Sequence, residues 1–538
     1  MKSPSIFNDV IGPVMRGPSS SHCAAAVRIG RLARDLMGGE LARVRVEFHR
    51  GGSLATTHES QGSDMGLFGG LLGWDATDPR LPRSPEAIRE AGVEVKIAIQ
   101  DFPAVHPNTY RLTLEGPGSR HRMTALSTGG GMIRVVEVDG ASLDMGGDLH
   151  ETLVFLDRQG GEDPATLVEG LQARLRPEGV QNLETNDRLL LRITTRSPVP
   201  ESLVRELEGH PRVREVRRLA PVLPVLAPGA REVPFLTVGA LQEHNETGDR
   251  DLWELAALYE SVRAGMGEKE VLGRMMGIVE TLERSLEEGI RGTDFQDRIL
   301  GPQAPRFREA MEGEGRLLAS GLLNRTILYV TALMEVKSSM GVIVAAPTAG
   351  SCGALPGVCL AAAHELGAGK EDAARAMLAA GLIGVFIVAG STFAAEECGC
   401  QAECGAGSGM AAAALVTLKG GTMVQALGAA SMALQNTLGM VCDPVANRVE
   451  VPCLGRNVLA ASNALTSANM SLAGFDPVIP LDEVIETMDA VGRSLPRELR
   501  CTALGGLSVT KTSRAIEERL RAAPPSSINP PGPRPGSS

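Results

Sequence analysis

The sequence predicts a mixed fold in three successive parts: an α+β N-terminal domain over residues 1–148, a ferredoxin-like middle domain over 149–222, and an all-α C-terminal domain over 235–522. Three observations predict it. The first part alternates short apolar segments with glycine-rich turns. The second is read as the strand, helix, strand, strand, helix, strand order of a ferredoxin-like unit, with three of its four strands assigned. The third is dense in Ala and Gly and reads as closely packed helices, in a chain with only 3% aromatic residues. A proline-rich linker over 223–234 separates the last two parts, and the Pro/Ser/Gly-rich tail over 523–538 is expected to be disordered. A chain of 538 residues is long enough for several cores.

In the first part, period-two alternation marks strands at 44–48, 93–99 and 133–138. Gly17-Pro18-Ser19-Ser20-Ser21-His22 precedes a helical pattern carried by Ala24, Ala25, Val27, Ile29 and Leu32. Hydroxyls and unpaired N–H groups at a helix start serve equally as a plain N-cap or as a carboxylate site. Phe48-His49-Arg50-Gly51-Gly52-Ser53, continuing to Thr57-His58, reads either as a pocket loop or as ordinary turn chemistry. In the second part, strands are expected at 152–156, 188–193 and 213–219, with helices at 167–175 and 204–207. The third part opens on amphipathic helices at 252–262 and 271–286. Its stretch over 376–395 carries no charge for twenty residues, which is long enough to span a bilayer. It is Ala- and Gly-rich and runs directly into Glu396-Glu397, so a buried helix is expected instead.

A net charge of −11 argues against a nucleic-acid partner. The nine cysteines are odd in number and concentrated after Cys352, unlike a secreted disulfide framework. The first residues hold no apolar run of signal-peptide length. A cytoplasmic protein without a membrane segment is expected.

The chemistry centres on Cys400, Cys442 and Cys453. Their gaps of 42 and 11 residues match neither zinc nor ferredoxin spacing. Three thiolates can still hold an iron–sulfur cluster by three irons and leave the fourth open as a Lewis acid. The other cysteines of this part, Cys352, Cys359, Cys398, Cys404 and Cys501, read as small buried apolar residues.

Several motifs in order carry a resemblance. Ala345-Ala346-Pro347-Thr348-Ala349-Gly350-Ser351 is followed by Gly399-Cys400-Gln401-Ala402-Glu403, then Met440-Val441-Cys442-Asp443-Pro444, then Val451-Pro452-Cys453 with Arg456-Asn457. With Pro18-Ser19-Ser20-Ser21-His22 and the 48–57 loop, they make the chain resemble the bacterial iron–sulfur L-serine dehydratases, with β and α parts fused. The resemblance implies a [4Fe-4S] cluster on Cys400, Cys442 and Cys453. It implies β-elimination of L-serine, or a similar amino acid, to pyruvate and ammonia. Ser19, Ser20, Ser21, Ser53, Thr348 and Gly350 are then the substrate-binding residues, with His22 and His58 as acid–base candidates. The middle part resembles an ACT domain, which implies an amino-acid effector and, by analogy, a homodimer. Two departures stand out. The family's Lys-Gly-His-Gly-Thr-Asp loop reads Glu59-Ser60-Gln61-Gly62-Ser63-Asp64 here, and Gln61 cannot take up a proton. The tail cysteine that caps the cluster in some members is replaced by Ser513 at the matching place, with Cys501 nearby. Two other classes remain open: an iron–sulfur lyase or desulfidase acting on another β-substituted amino acid, and a non-catalytic amino-acid or metal-binding regulator.

Overall fold

Alternation places Val44, Val46 and Phe48 on the buried face of strand Arg43–His49, while Arg43 and Arg45 face solvent. This strand sits inside a six-stranded sheet in the computed structural model, which describes residues 3–158, 170, 174–175, 177–185, 187–226, 232–248, 250–313, 316–318 and 320–522. It pairs in parallel with Glu94–Gln100 and antiparallel with Thr109–Gly116. A parallel pair needs a crossover. The helices Ser63–Leu71 and Ser84–Glu90 supply it. The sheet continues through antiparallel hairpins: Ser119–Gly129, Met132–Val138 and Ala141–Met145. Helix Ala25–Leu36 packs on its buried face and against Ser63–Leu71. The two helices touch backbone to backbone. A Cβ at Gly66 would stand 2.2 Å from the Cys23 carbonyl oxygen, and one at Gly70 2.2 Å from that of Val27.

The middle part forms a four-stranded antiparallel sheet in the spatial order Val213–Leu219, His150–Leu156, Leu189–Thr195, Gly179–Glu184. Helix Glu201–Glu208 buries Leu203, Val204 and Leu207 against Val154, Leu156, Leu191 and Ile193. Of the helix expected over 167–175, only residues 170, 174 and 175 are described; the tail over 523–538 lies outside the described residues. His121 joins this sheet to the first one. Its Nδ1 pairs with Asp139 at 2.7 Å and its Nε2 with Glu215 at 2.6 Å.

The helical part is built around Lys370–Gly390, which packs against Leu252–Ala264, Glu268–Arg291 and Cys404–Leu418. This helix is long and apolar enough to cross a membrane by length and composition, but most of it is buried inside the protein. Its glycines receive the start of the chain. The single turn Ile6–Val10 lies on it so closely that a Cβ at Gly384 would meet Val10 Cγ1 at 2.1 Å. Strand Val14–Met15 pairs with Ile343–Val344. The sequence groups residues 1–15 with the α+β domain. In the structure Ile6, Phe7, Val10, Ile11 and Met15 belong to the helical core instead. The glycine-lined helix offers a groove for these apolar side chains that the sheet does not.

Candidate active site

The Ser-rich turn forms a π-helical turn, Ser20–Ala24, capped by Ser19, whose Oγ accepts from the His22 amide at 3.3 Å. The cap brings the His22 ring back over its own turn. His22 Nε2 lies 2.7 Å from Thr57 Oγ1, and Thr57 donates its own proton to the Ser53 carbonyl at 2.8 Å. Thr57 therefore accepts, and Nε2 carries the proton. Nδ1 is left as the basic nitrogen. It lies 3.0 Å from Ser19 Oγ and 3.6 Å from Glu396 Oε1. Burial pushes the His22 pKa down and His58 adds to this, against the pull of Glu396. The ring is neutral near pH 7.

The serines stitch distant segments together. Ser21 Oγ donates to Glu396 Oε1 at 2.9 Å, and the Ala349 amide donates to Ser20 Oγ at 3.1 Å. Thr348 caps its own turn and donates to Glu403 Oε1 at 2.7 Å. Gly350 lies close beside it: a Cβ there would stand 2.7 Å from that same oxygen and would push the Glu403 carboxylate aside. Ser53 Oγ donates to the Cys501 carbonyl at 2.7 Å. His58 stands at the margin, half-buried, with Nδ1 2.8 Å from Asp64. Burial lowers its pKa, but the Asp64 hydrogen bond and charge outweigh this and raise it. Gln61 is buried between Asn447 Oδ1, at 2.9 Å from its Nε2, and the Cys501 sulfur at 3.6 Å. It acts there as a strut between the two halves of the chain.

The three predicted cysteines are all buried, and Cys400 lies within electrostatic reach of both Cys442 and Cys453, although Cys453 packs in the main helical core and not in the small cluster of the other two. Cys400 and Cys442 share a small buried cluster with Cys404 and Cys501. Cys404's hydrogen bond to Cys400, with Arg456 nearby, lowers the Cys400 pKa to about 7 against the cost of burial. Burial raises Cys453 to about 12. The Cys501 hydrogen bond and burial raise Cys442 well above its usual value. Among the described residues, no three His, Cys, Asp or Glu side chains are close enough to share a single metal ion. Polar groups brace the loops that carry these thiols. Arg456 donates to the Val441 carbonyl at 2.8 Å and to Asp443 at 2.7 Å. Asn457 donates to the Gly350 and Cys453 carbonyls, both at 2.8 Å. Lys337 is fully buried and donates to the Val449 carbonyl. Ala446, Asn447, Cys501 and Ala503 all hold positive φ beside the cluster, a strained set of the kind found at functional sites.

A cavity of about 290 Å³ opens at this junction, lined by Ser53, Glu396, Glu397, Arg497, Arg500 and Thr502 among others. Two buried atoms here have no hydrogen-bond partner among the described residues: Glu396 Oε2 and Arg500 Nε.

Residues 215–508 match the family model described as "Serine dehydratase alpha chain". The chain belongs to this serine dehydratase family. It is 38% identical over 252 residues to the "Probable L-serine dehydratase, alpha chain" of Bacillus subtilis (strain 168), covering 47% of this chain and 84% of that protein. It is 37% identical over 273 residues to the "L-serine dehydratase, alpha chain" of Peptoniphilus asaccharolyticus, covering 51% and 93%. A further match is to a "Probable L-serine dehydratase, beta chain" of Bacillus subtilis (strain 168), 33% identical over 222 residues, covering 41% of this chain and 100% of the relative. One polypeptide here thus matches serine dehydratase chains of both kinds.

Sequence reading missed Glu396 as a site residue. Its only signal was an acidic pair closing a long uncharged stretch. Thr57, which fixes the His22 tautomer, lay unremarked inside the 48–58 loop.

Proposed function

We propose that the protein converts L-serine to pyruvate and ammonia by β-elimination, with a [4Fe-4S] cluster held by Cys400, Cys442 and Cys453. The observation that carries the reading is the meeting of two remote segments: the Ser19–His22 turn bonds to Glu396, four residues before Cys400. The donor set suits the group. The buried Cys442 and Cys453 thiols are held protonated by raised pKa values while Cys400 is lowered toward the thiolate, and bound iron would favour the thiolate at all three. Soft sulfur ligands favour iron–sulfur chemistry. Each cysteine of such a cluster takes a different iron, so the thiols need not converge on one point. When bound, the cluster supplies a Lewis-acidic iron with an open position for a substrate oxygen.

The chain's own residues do the rest. Glu396 Oε2 takes the substrate ammonium, and Arg500 Nε faces its carboxylate. Ser20 Oγ accepts from Ala349 and so has its own proton left for that carboxylate. Ser21 positions Glu396, Ser53 ties its wall of the cavity to Cys501, and Thr348 holds Glu403 in the adjoining turn. His22 Nδ1, held basic by the Nε2–Thr57 bond, receives the α-proton. His22 is fully buried, so bulk water does not compete at this nitrogen. Loss of the proton and of the hydroxyl leaves aminoacrylate, which water converts to pyruvate and ammonia.

The middle sheet is read as an ACT-type effector module, supported by its strand order of last, first, third, second. A homodimer in the cytoplasm completes this reading. The test is anaerobic purification, an absorbance spectrum, and addition of L-serine. A brown protein releasing pyruvate, and losing that activity when iron is chelated, is expected. Full activity after complete iron removal would sink the mechanism.

A further inference from the structure

A second, larger cavity of about 630 Å³ lies away from the cysteines, where the start of the chain, the first sheet and the helical part meet. Its floor is apolar, formed by Leu236, Phe386, Val388 and Ile485. Its polar wall carries charges of both signs. Arg263, on helix Leu252–Ala264, is more than nine-tenths buried. Its Nε donates to the Ser3 carbonyl at 3.2 Å. Its Nη1 is buried and has no hydrogen-bond partner among the described residues. The nearest carboxylate oxygen, on Glu260, is 3.8 Å away and already accepts from Ser5 Oγ at 2.6 Å. A buried guanidinium donor left unmade is costly, and a carboxylate is its natural partner. Asp9 and Asp148 line the same cavity. Asp9 Oδ2 accepts from the Ser5 amide at 2.8 Å. Burial, with a smaller contribution from Asp148, raises the Asp9 pKa against that bond and the charges of Arg263 and Arg28, and a further cation between the two carboxylates would oppose the rise.

We propose that this cavity binds a free α-amino acid with an apolar side chain, its carboxylate on Arg263 Nη1, its ammonium between Asp9 and Asp148, and its side chain on the Phe386–Val388–Ile485 floor. Neither an amine nor an acid alone satisfies both walls. The site shares no residue with the cysteine centre and does not depend on the reaction proposed above. It is also separate from the middle sheet, where an ACT-type effector is expected. Its occupant would bridge the Ser3–Ile11 arm to the helices.

The test is calorimetric titration of the full-length protein with L-leucine, L-isoleucine and L-phenylalanine. None of these carries a β-leaving group, so no heat of turnover intrudes. At least one is expected to bind saturably. For L-leucine, 4-methylpentanoate and 3-methylbutylamine are expected to bind at least about tenfold more weakly, as loss of a charged hydrogen bond requires. Arg263→Gln is expected to weaken binding by a similar factor. Val388→Trp, at a half-buried position on the apolar floor, adds bulk inside the cavity and is expected to abolish binding; it keeps the test open if Arg263→Gln does not fold. No binding by any of the three amino acids at millimolar concentration overturns the proposal. So does binding that persists unchanged in Val388→Trp, which would place the amino acid elsewhere.

Discussion

At the scale of single residues, the site rests on a few oriented atoms. His22→Gln removes the basic Nδ1 and is expected to lower kcat/KM for L-serine by roughly 10²–10⁴-fold, the usual worth of a general base. A steady-state pyruvate assay checks it, with near-native circular dichroism as the control. Cys400→Ala, Cys442→Ala and Cys453→Ala are each expected to lose the iron–sulfur absorbance, while Cys398→Ala keeps it. Equal loss in Cys398→Ala would move the ligand set. The Ser-rich turn stood out as a short motif at a helix start, whereas Cys400, Cys442 and Cys453 were singled out by the family resemblance and not by their spacing. Glu396 was not legible, because its role comes from reaching Ser21, 375 positions away in the chain. Gln61 read as a departure from a catalytic pattern, and only its bonds to Asn447 and Cys501 show what it holds together.

At the scale of elements, the decisive contacts are between backbones. Helix Ser63–Leu71 has no room for a methyl group at Gly66. Gly66→Ala is expected to cost about 1–3 kcal/mol, read as a lower denaturation midpoint. It also pushes on Cys23, beside His22, so activity should fall with it. A midpoint equal to wild type would show that the helix can shift freely. Strands 44–48, 93–99 and 133–138 were visible from alternation. Ser119–Gly129 was not, because Arg120, His121 and Arg122 interrupt its apolar signal at one end while pairing on both sides holds it in the sheet. Gly179–Glu184 lies at a sheet edge with none of its side chains fully buried, so its alternation is too faint to report a buried face.

At the scale of the whole molecule, buried charge ties the parts together. Burial opposes protonation of His121, but Asp139 and Glu215 overcome it and raise its pKa to about 9. The shift is upward, so its stabilisation is fully present below the unfolded value near 6.5. It fades as the pH rises through about 9. The loss is on the order of 3 kcal/mol, from a rise of roughly two and a half pKa units. Denaturation of the wild type and of His121→Gln between pH 6 and 10 checks it: their difference should shrink toward the alkaline end. A constant difference would mean the ring is neutral throughout. No local pattern could have revealed this link, because its three members come from separate strands and turns. The same long reach governs how the protein is born. Ile6, Phe7, Val10 and Ile11 leave the ribosome well before the groove they fill, which belongs to a helix ending at Gly390, and Ser53 waits for the Cys501 carbonyl. At roughly 5–20 residues per second, the nascent chain carries this greasy leading segment unsheltered for about 20 s to more than a minute. Chaperone occupancy of this segment, and misfolding when synthesis stalls before the groove emerges, are the expected consequences of packing together segments so far apart in sequence.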